Sequence, residues 1–575
     1  MAVPGDGILV VPRGVVVPPG VVTGGAVLSE VETHAVFNQP PPFEGRNFFT
    51  SDRVLGEALA REGAPWAVDE LTALGAEAAS PDTLELGRLA NVNRPELRAF
   101  DRFGHRIDVV DYHPAYHELM RTAISNGLHA APWADPRTGA HVARAAKVLV
   151  WYQVEAGHLC PVSMTYSVVP ALRHEPALAA QWEPRITSAV YDPTDAPIEA
   201  KTGVTCGMAL TEKQGGSDVR ANTTTGEPDP SEPGLYRLTG HKWFCSAPMS
   251  DGFLMLAQTA AGLSCFWVPR WCPDGSRNPI RIQRLKDKLG DRSNASSEIE
   301  LAGVAGRLVG EEGRGVRTII EMVNHTRLDC VLGATALIRH GFVQASWHAT
   351  HRSAFGHLLA DQPLMTNVLA DLALESEAAT AAALRLARSY DAAGGDDHER
   401  LVQRLLTPVV KFWSCKRAPQ HAAEALECLG GNGYVEESPL PRLFRQSPLN
   451  GLWEGSGNVI CLDVLRAMLR EPESLEAFWT EIAPVVGTDA RFDAAVASLR
   501  ASLADMAPIE ERARHVVERM ALVFEGALLL RHSPGVVADA FCASRLEGGA
   551  DAVFGALPPS VDARAVLRRN APWVD

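Results

Sequence analysis

The hydrophobic pattern of this chain changes period twice, and this change restricts the possible fold more than any other feature. From about Thr202 to Gly310 the sequence alternates apolar and polar residues or forms short β-type runs, as in GLYRLTGHKWFCS, GFLMLAQT and LSCFWVPR. Ala-Ala-Gly joins the last two runs, which predicts a hairpin. On either side of this block, apolar residues recur at helical spacing. The sequence therefore predicts an α+β protein in which a β domain lies between two helical parts.

The chain is also predicted to contain several domains, because 575 residues are too many for one hydrophobic core. A turn around Pro484–Thr488, followed by a renewed amphipathic pattern, predicts a further helical segment near the C-terminus. We predict five parts: an extended N-terminal arm at 1–32, an N-terminal helical domain at 33–201, the β domain at 202–310, a C-terminal four-helix-type bundle at 311–472 and an additional helical segment at 473–575.

Three local patterns predict where helices begin and end. Ser51 is a plausible N-cap for the helix in SDRVLGEALAREG, because its hydroxyl can accept a backbone bond. The stretch Gly139–Cys160 is apolar nearly all round, which predicts one long buried helix. Gly394 and Gly395 end an Ala/Leu-rich stretch, and Asp396 is expected to open the next helix.

Composition excludes several classes of protein. The formal net charge is −15, which disfavours binding to DNA or to an anionic membrane, since such binding requires a basic face; a local basic patch stays possible. No apolar run reaches the ~18 residues of a membrane-spanning helix. The first residues are broken by Pro and Gly and lack a basic region, so they do not resemble a signal peptide. We therefore expect a cytoplasmic protein.

The ten cysteines are scattered. They form neither a CxxC pair nor a Cys/His cluster at metal-ligand spacing. We therefore expect buried reduced thiols and no metal site.

One carboxylate stands in unusual surroundings. In LWEGSGN (Leu452–Asn458), Glu454 lies between Trp453 and a glycine, ahead of the apolar pair Val459-Ile460. Two interpretations are open at this point. Glu454 is either an acid favoured by the dipole at a helix N-terminus or a desolvated general base whose pKa is raised.

Glycine-rich stretches add a second signal. TEKQGGSDV (Thr211–Val219) follows a short apolar run, and its glycines would let a backbone approach a ligand. It contains neither a P-loop nor a GxGxxG fingerprint, and on its own it is typical of an ordinary turn. LGGNGY and HRSAFG occur farther along the chain, the latter placing an Arg near an aromatic residue.

In their order, these stretches resemble the motifs of the acyl-CoA dehydrogenase family over nearly the whole chain. The matching segments are Leu210–Asp218, Gly240–Ser246, Arg352–Gly356, Gly430–Tyr434 and Trp453–Ser456. VFNQPPPFEGRNFF, LELGRLANVNRPEL and LKDKLGDRSNASSE further resemble the AidB-like subfamily, which is linked to the adaptive response to DNA alkylation and carries an extra helical C-terminal segment.

The resemblance implies a flavoprotein with non-covalent FAD, completed by a neighbouring subunit in a homo-oligomer, commonly a tetramer. Carried over by position, the implied contacts fall into four groups. They are Met208, Leu210, Thr211, Gly216 and Ser217 at the isoalloxazine or its chain; Phe244 and Ser246 at its other edge; Arg352, Phe355, Gly430 and Gly431 at the pyrophosphate and adenine side of a neighbour's FAD; and Ser456 and Asn458 at the adenosine end.

The resemblance also assigns the chemistry. Glu454 occupies the position of the base that takes the pro-R α-proton of an acyl thioester while the β-hydride passes to flavin N5. Some relatives carry the base on an earlier helix, at a point that corresponds here to Thr326, which cannot serve, and Arg327 beside it is implied on the substrate side. Two departures occur: Lys213-Gln214 replace a Pro-containing pair, and Glu427 stands where many members have Gln.

The implied activity is α,β-dehydrogenation of an acyl-CoA or related acyl thioester (EC 1.3 class), with an electron acceptor that no motif identifies. Two alternatives stay open. One is a DNA-associated alkylation-response protein with weak or vestigial dehydrogenase activity. The other is a flavin oxidase or monooxygenase on the same fold.

Overall fold

The protein is described by a computed structural model for residues 33–504, 509–547 and 553–574, and for two short stretches nearer the N-terminus. These stretches, β1 (Val10–Val11) and β2 (Val15–Val16), pair antiparallel. The rest of the predicted arm at 1–32 lies outside the described residues. The described part is helical, then β, then helical, so the predicted α+β class is confirmed.

Between residue 33 and the β domain lie eight α-helices and a β-hairpin. The helices are α1 (Arg53–Arg61), α2 (Val68–Ala78), α3 (Pro81–Val92), α4 (Pro114–Ser125), α5 (Ala131–Ala134), α6 (Ala140–Trp151), α7 (Leu159–Leu172) and α8 (Pro176–Ile186). The hairpin, β3 (Glu96–Phe100) and β4 (Arg106–Asp111), was not predicted. Each strand is too short for its alternation to be distinguished from a loop.

Two local predictions in this region are wrong. The N-cap of α1 is Asp52 and not Ser51, because the Asp52 carboxylate accepts a bond from the amide of Leu55 at 3.1 Å. The stretch 139–160 forms two helices, α6 and α7, instead of one. At the break, the buried Glu155 carboxylate accepts bonds from the amides of Gly157 and His158 at 3.0 Å each, and such side-chain bonds compete with the helical pattern.

The β domain is one seven-stranded sheet. Its strands are β5 (Cys206–Ala209), β6 (Thr225–Pro228), β7 (Leu235–Ser246), β8 (Gly252–Thr259), β9 (Gly262–Pro269), β10 (Ile280–Leu285) and β11 (Ser296–Leu308). They run in the order β10-β11-β7-β6-β8-β5, and β9 pairs with both β8 and β11. The predicted hairpin is confirmed, since β8 and β9 pair antiparallel with Thr259 opposite Gly262. Strand β5 pairs parallel to β8 and carries the chain out toward the Gly-rich loop.

The C-terminal bundle follows. Its elements are α9 (Gly315–His351), the short strands β12 (Ser353–Ala354) and β13 (His357–Leu358), α10 (Pro363–Ala392), α11 (Asp397–Cys428), α12 (Gly431–Tyr434), α13 (Leu440–Gln446) and α14 (Gly457–Arg470). Helix α10 is the predicted Ala/Leu-rich helix, and most of it is buried. Helix α11 opens at Asp396-Asp397 as predicted, and Asp396 is its N-cap, because its carboxylate accepts a bond from the amide of His398 at 2.8 Å.

The last part of the chain is helical, as the sequence predicted. It contains α15 (Glu473–Ile482), α16 (Ala490–Ala504), α17 (Ile509–His532), α18 (Gly535–Phe541), a π-helical turn at Cys542–Leu546 and α19 (Ala563–Asn570). Helix α17 packs against α10, α11 and α14. A buried bond from the Trp413 indole N–H to the Glu525 carboxylate, 3.1 Å, helps to join this segment to the bundle.

Two sequence expectations bear on the described residues. None of their helices is long and apolar enough to cross a membrane. Within the same residues, no group of three or more His, Cys, Asp or Glu side chains is arranged to hold a metal ion. All ten cysteines are free thiols and nine are buried.

Candidate active site

The structure brings the two β-domain motifs side by side. The chain leaves β5 into the loop that contains Thr211 and Gly216, and the amide of Trp243 on β7 donates to the carbonyl of Thr211 at 2.8 Å. Gly216 is required at this point, because a Cβ atom there would lie 2.3 Å from the Thr211 hydroxyl oxygen. The loop and the end of β7, which carries Phe244 and Ser246, thus form one continuous surface.

A buried ion pair fixes this loop from behind. The Lys242 ammonium lies 2.8 Å from the Glu212 carboxylate, and both side chains are fully buried. Glu212 also accepts bonds from the amides of Thr223 at 2.7 Å and Thr224 at 3.2 Å. Burial alone would raise the pKa of Glu212, but Lys242 and these donors outweigh it and hold the pKa at about 2. Glu212 therefore stays ionised and serves the loop as a structural anchor.

Glu454 lies on a loop whose backbone is held in an unusual conformation. Its φ is +59°, a left-handed value that non-glycine residues seldom adopt. Three bonds from buried cations hold the loop carbonyls: Arg327 Nε donates to Glu454 O at 3.0 Å, and Lys411 Nζ donates to Trp453 O at 2.9 Å and to Gly455 O at 2.7 Å. These contacts stabilise the strained loop and fix the direction of the Glu454 side chain.

The two interpretations of Glu454 can now be compared. Helix α14 begins at Gly457 and its N-cap is Ser456, so Glu454 precedes the cap. Within the described part of the chain, the Glu454 carboxylate accepts no bond from the backbone of α14. Burial raises the pKa of Glu454, and the Thr326 hydroxyl, Lys411 and Arg327 offset only part of this effect. The environment therefore fits a base better than a helix-capping acid.

Trp453 connects this loop to the β domain. Its ring packs against the same apolar cluster as Met208 and Leu210. The indole N–H donates to the side-chain oxygen of Asn450 at 3.1 Å, and the Asn450 amide donates to the Tyr152 hydroxyl at 3.3 Å. Gly333 on α9 permits this approach, because a Cβ there would lie 2.7 Å from atoms of both partners. Residues from the β domain, α6, α9 and the bundle thus meet at Glu454.

The surface beside Glu454 offers polar groups that suit a flavin. The hydroxyls of Thr211 and Ser217 form no hydrogen bond with the residues that the structure describes, and Phe244 is half exposed. The Ser246 hydroxyl lies 3.4 Å from that of Ser296. In the nearby loop Asp291–Asn294, the buried side-chain oxygens of Asp291, Ser293 and Asn294 have no hydrogen-bond partner. A bound group with polar ring atoms would satisfy hydroxyls that the chain leaves free.

The other predicted cofactor residues lie elsewhere in the chain. Arg352 caps the C-terminal end of α9, 25 residues and therefore about 37 Å along the helix from Arg327. Its guanidinium donates to the carbonyl of Asn38 and has no acidic partner among the described residues. Phe355 is 95% exposed, and Gly430 and Gly431 face open space. Ser456 and Asn458 lie two and four residues after Glu454; Ser456 is half-buried and Asn458 is exposed.

Several site residues escaped the sequence analysis. Lys411 is a lone cation in the apolar run LLTPVVKFW, and that isolation is a usable signal. Glu212 and Lys242 both lie within motifs that were recognised, but their pairing across the sheet is a tertiary fact. Thr326 was considered only as a base, whereas its hydroxyl lies against the Glu454 carboxyl.

Comparison with known proteins agrees with this geometry. Residues 38–193 match the N-terminal domain of the adaptive response protein AidB, 207–304 match the acyl-CoA dehydrogenase middle domain, and 313–469 match the acyl-CoA dehydrogenase C-terminal domain. The AidB protein of Escherichia coli, named as an acyl-CoA dehydrogenase, is 48% identical over 518 residues, which cover 90% of this chain and 95% of that protein. The chain belongs to the AidB-like branch of the acyl-CoA dehydrogenase family.

Solved structures show the same fold. The Caenorhabditis elegans acyl-CoA dehydrogenase ACDH-11, solved in complex with C11-CoA, has a TM-score of 0.81 and 27% identity, with 95% of each chain covered. A Bacillus anthracis acyl-CoA dehydrogenase complexed with FAD shares the fold, with a TM-score of 0.61 at 17% identity over 80% of this chain and 84% of that one. Membership of the acyl-CoA dehydrogenase family confirms the predicted fold, the oxidoreductase class and FAD as the cofactor.

Proposed function

We propose that this chain dehydrogenates an acyl-CoA thioester between its α and β carbons, with Glu454 as the general base. The observation that carries the proposal is the state of Glu454. Burial raises the pKa of its carboxyl, and the bonds from Arg327 and Lys411 hold its loop beside the β-domain motif. A base works best when its pKa approaches the working pH, so this environment suits proton abstraction.

The reaction removes one proton and one hydride from the substrate and leaves a carbon–carbon double bond. When bound, FAD supplies the acceptor for the hydride that leaves the β carbon. Glu454 takes the α-proton and becomes a neutral acid, a change that its apolar surroundings favour. Arg327 and Lys411 keep the carboxyl in place throughout, and Trp453 restricts the entry of water.

The cofactor contacts belong to the same proposal. Thr211 and Ser217 would donate to the flavin ring and its chain, and Phe244 would lie at its edge. Arg352 and Phe355, with Gly430 and Gly431, are too far from Glu454 within one chain, so they would serve the FAD of a neighbouring subunit. An Arg without an acidic partner suits a pyrophosphate. This division supports a homo-oligomer, and a tetramer is its expected form.

The net charge of the chain and a related structure support the proposed substrate class. The related ACDH-11 structure holds C11-CoA, which supports a CoA thioester here. The net charge of −15 disfavours DNA as the main ligand. An oxidase or monooxygenase would turn over with oxygen alone, and that distinction enters the experiment below.

The proposal is tested with purified protein and a panel of acyl-CoA thioesters of increasing chain length. We expect a yellow protein that releases FAD on denaturation and whose bound flavin is bleached anaerobically by at least one member of the panel. The control omits the thioester. A protein that cannot be reconstituted with FAD, or whose flavin no acyl-CoA bleaches, would refute the assignment, and turnover sustained by oxygen alone would favour the oxidase alternative.

A further inference from the structure

A cavity that Glu454 does not line lies where the N-terminal domain, the bundle and the C-terminal segment meet. It has a volume of about 270 Å³ and lies between the ends of α1, α10 and α17, the start of α11, and α15. Six basic or potentially basic side chains line it: Arg61, Arg385, Arg388, His398, Arg531 and His532. Nothing in the proposed dehydrogenation uses these residues.

Most of the acidic capacity of this cavity is already taken. Arg385 forms a forked pair with Glu399, at 2.9 and 3.2 Å, and a second forked pair with Glu481, at 2.9 and 2.8 Å. Glu481 also lies 2.9 Å from His398 Nε2. The Asp396 carboxylate accepts amide bonds at the start of α11. Four acids line the cavity: Glu62, Asp396, Glu399 and Glu481. Arg385 therefore pairs with two of them, and the start of α11 engages a third.

Three other guanidinium groups keep unused donors. Arg388 and Arg531 are exposed to solvent: Arg388 approaches Glu62 and Glu399 only to 3.7 Å, which is too long for a hydrogen bond, and Arg531 makes one long bond of 3.4 Å to the Glu481 carbonyl. Arg61 binds Glu62 through Nε at 2.7 Å, but its Nη2 is buried and has no hydrogen-bond partner. A buried donor without a partner is the usual sign of a missing acceptor, and the two exposed guanidinium groups beside it are free to bind the same acceptor.

The pKa of His532 reflects its burial and the charges around it. Burial and, to a smaller extent, the neighbouring Arg61 and Arg531 lower the pKa of His532 to about 4, and Glu62 offsets only part of this effect. The imidazole is therefore neutral near pH 7. A neutral imidazole can donate one N–H to a bound anion without adding a charge.

We propose that this cavity is a binding site for a small tetrahedral oxyanion, phosphate in particular. Planar guanidinium groups match the oxygens of phosphate and sulfate through paired N–H bonds, and Arg388, Arg531 and Arg61 supply such groups from three different helices. The anion would bridge the N-terminal domain, the bundle and the C-terminal segment. It would also lie at the start of α11, 14 residues and thus about 21 Å along the helix from Lys411, which holds the loop that carries Glu454.

The site is expected to bind more tightly as the pH falls. The charged and titratable groups that line the cavity with His532 come from every element around it. They are Arg61 and Glu62 at the end of α1, Arg385 and Arg388 from α10, Asp396, His398 and Glu399 at the start of α11, Glu481 from α15 and Arg531 from α17. A bound dianion adds negative charge beside the imidazole and so raises its pKa. Sulfate is the suitable probe for this dependence, because its charge is constant between pH 5 and pH 8, whereas that of phosphate is not.

The experiment measures the thermal midpoint of the FAD-loaded protein with sodium sulfate and with sodium chloride at equal ionic strength. We expect sulfate and inorganic phosphate to raise the midpoint by at least about 1 °C more than chloride, and the sulfate effect to grow from pH 7.5 to pH 5.0, where the raised His532 midpoint is reached. Arg388→Gln and Arg531→Gln should each lower the affinity for sulfate by about tenfold. Arg88→Gln, on an exposed arginine paired with Glu85, is the matched control.

A second readout follows the His532 imidazole by NMR, with His532→Gln for assignment. Sulfate should move its titration midpoint upward by about 1 pH unit. A parallel measurement with glycerol phosphate distinguishes a phosphate ester from free phosphate as the ligand. Tighter binding of glycerol phosphate than of inorganic phosphate indicates an ester, and equal or weaker binding indicates the free ion. The proposal is overturned if Arg388→Gln and Arg531→Gln keep the full sulfate effect, or if sulfate leaves the His532 midpoint unchanged.

Discussion

Glu212 and Glu454 lie at the same candidate site, one on the loop after β5 and the other on the loop before α14, and the protein shifts their pKa values in opposite directions. Each has a buried lysine as a neighbour: Lys242 for Glu212 and Lys411 for Glu454. The Lys242 ammonium contacts the carboxylate itself at 2.8 Å. The Lys411 ammonium instead contacts the two backbone carbonyls on either side of Glu454.

The comparison shows that the presence of a cation near an acid does not decide the role of the acid. The decisive factor is the atom that receives the hydrogen bonds. Donors aimed at the Glu212 carboxylate stabilise its ionised form and hold the pKa at about 2. Donors aimed at the backbone around Glu454 fix its position, and burial still raises its pKa. Four substitutions test this difference, in order of expected effect.

The largest effect is expected for Glu454→Gln. The amide keeps the shape of the side chain but cannot accept the proton, and a positioned base contributes about 10²–10⁴-fold. Bleaching of bound flavin by a working acyl-CoA should slow by at least ~10²-fold, measured anaerobically at matched FAD content. Glu437→Gln, on an exposed residue of the same bundle, serves as the control. A rate near that of the wild type would show that the base lies elsewhere.

The next effect is expected for Glu212→Gln, and it is an effect on stability. The substitution leaves Lys242 buried without its acid, which costs about 3–5 kcal/mol, so the thermal midpoint should fall by several degrees. The exposed Glu227 of β6 supplies the control substitution, Glu227→Gln. Glu454→Gln should leave the midpoint nearly unchanged, and the comparison fails if the two variants lose equal stability.

The same variant has a pH signature. The folded-state pKa of Glu212, about 2, is below its usual value of 4.5. Ionised Glu212 therefore stabilises the fold above about pH 4.5, and this contribution is lost as the pH falls toward 2. Glu212→Gln should lack this component of acid destabilisation, which acid titration of the two proteins would reveal.

A smaller effect is expected for Lys411→Met, which keeps most of the length of the side chain but removes the ammonium group that holds the Trp453 and Gly455 carbonyls. The loop should become less ordered, and flavin reduction should slow by about tenfold, since two hydrogen bonds of about 0.5–1.5 kcal/mol each are lost. The pKa of Glu454 should rise further, because Lys411 lowers it. The pH–rate profile should therefore move upward. Arg400→Met, on an exposed part of the same helix, is the control, and an unchanged profile would argue against this role of Lys411.

The smallest effect is expected for Tyr152→Phe. The hydroxyl accepts a long bond, 3.3 Å, from Asn450, which in turn orients Trp453. Its loss should slow flavin reduction by about 2–10-fold and leave the pH–rate profile in place, because no charge changes near Glu454. Tyr191→Phe, which removes a tyrosine hydroxyl bonded to His117 and not to Asn450, provides the reference. A shift of the profile would mean that Tyr152 affects the protonation of the base directly.

Much of the site could be predicted from sequence because its motifs are local. The order of five short segments indicated the family, and Glu454 stood out through its apolar neighbours. Lys411 and Asn450 come from separate elements of the bundle, and Tyr152 lies 298 residues from Asn450 along the chain, so no spacing rule relates the three residues. The same limit explains the missed break after α6, where Glu155 competes for backbone amides only once it is buried. Periodicity predicts which face of an element is buried, but it does not show which polar side chains meet there.

Helix α9 has a consequence for the whole assembly. Its 37 residues form a rod about 55 Å long, with Arg327 about a third of the way along it, bonded to the Glu454 carbonyl, and Arg352 at its C-terminal end. If these two arginines serve different FAD molecules, as proposed, each catalytic unit is a composite of two chains. In a mixed dimer of one chain altered at Glu454 and one altered at Arg352, both lesions would fall in one unit and the other would be intact. Two variants that are inactive on their own could then restore up to half of the activity when they associate. This would be complementation between two mutant copies of the same polypeptide.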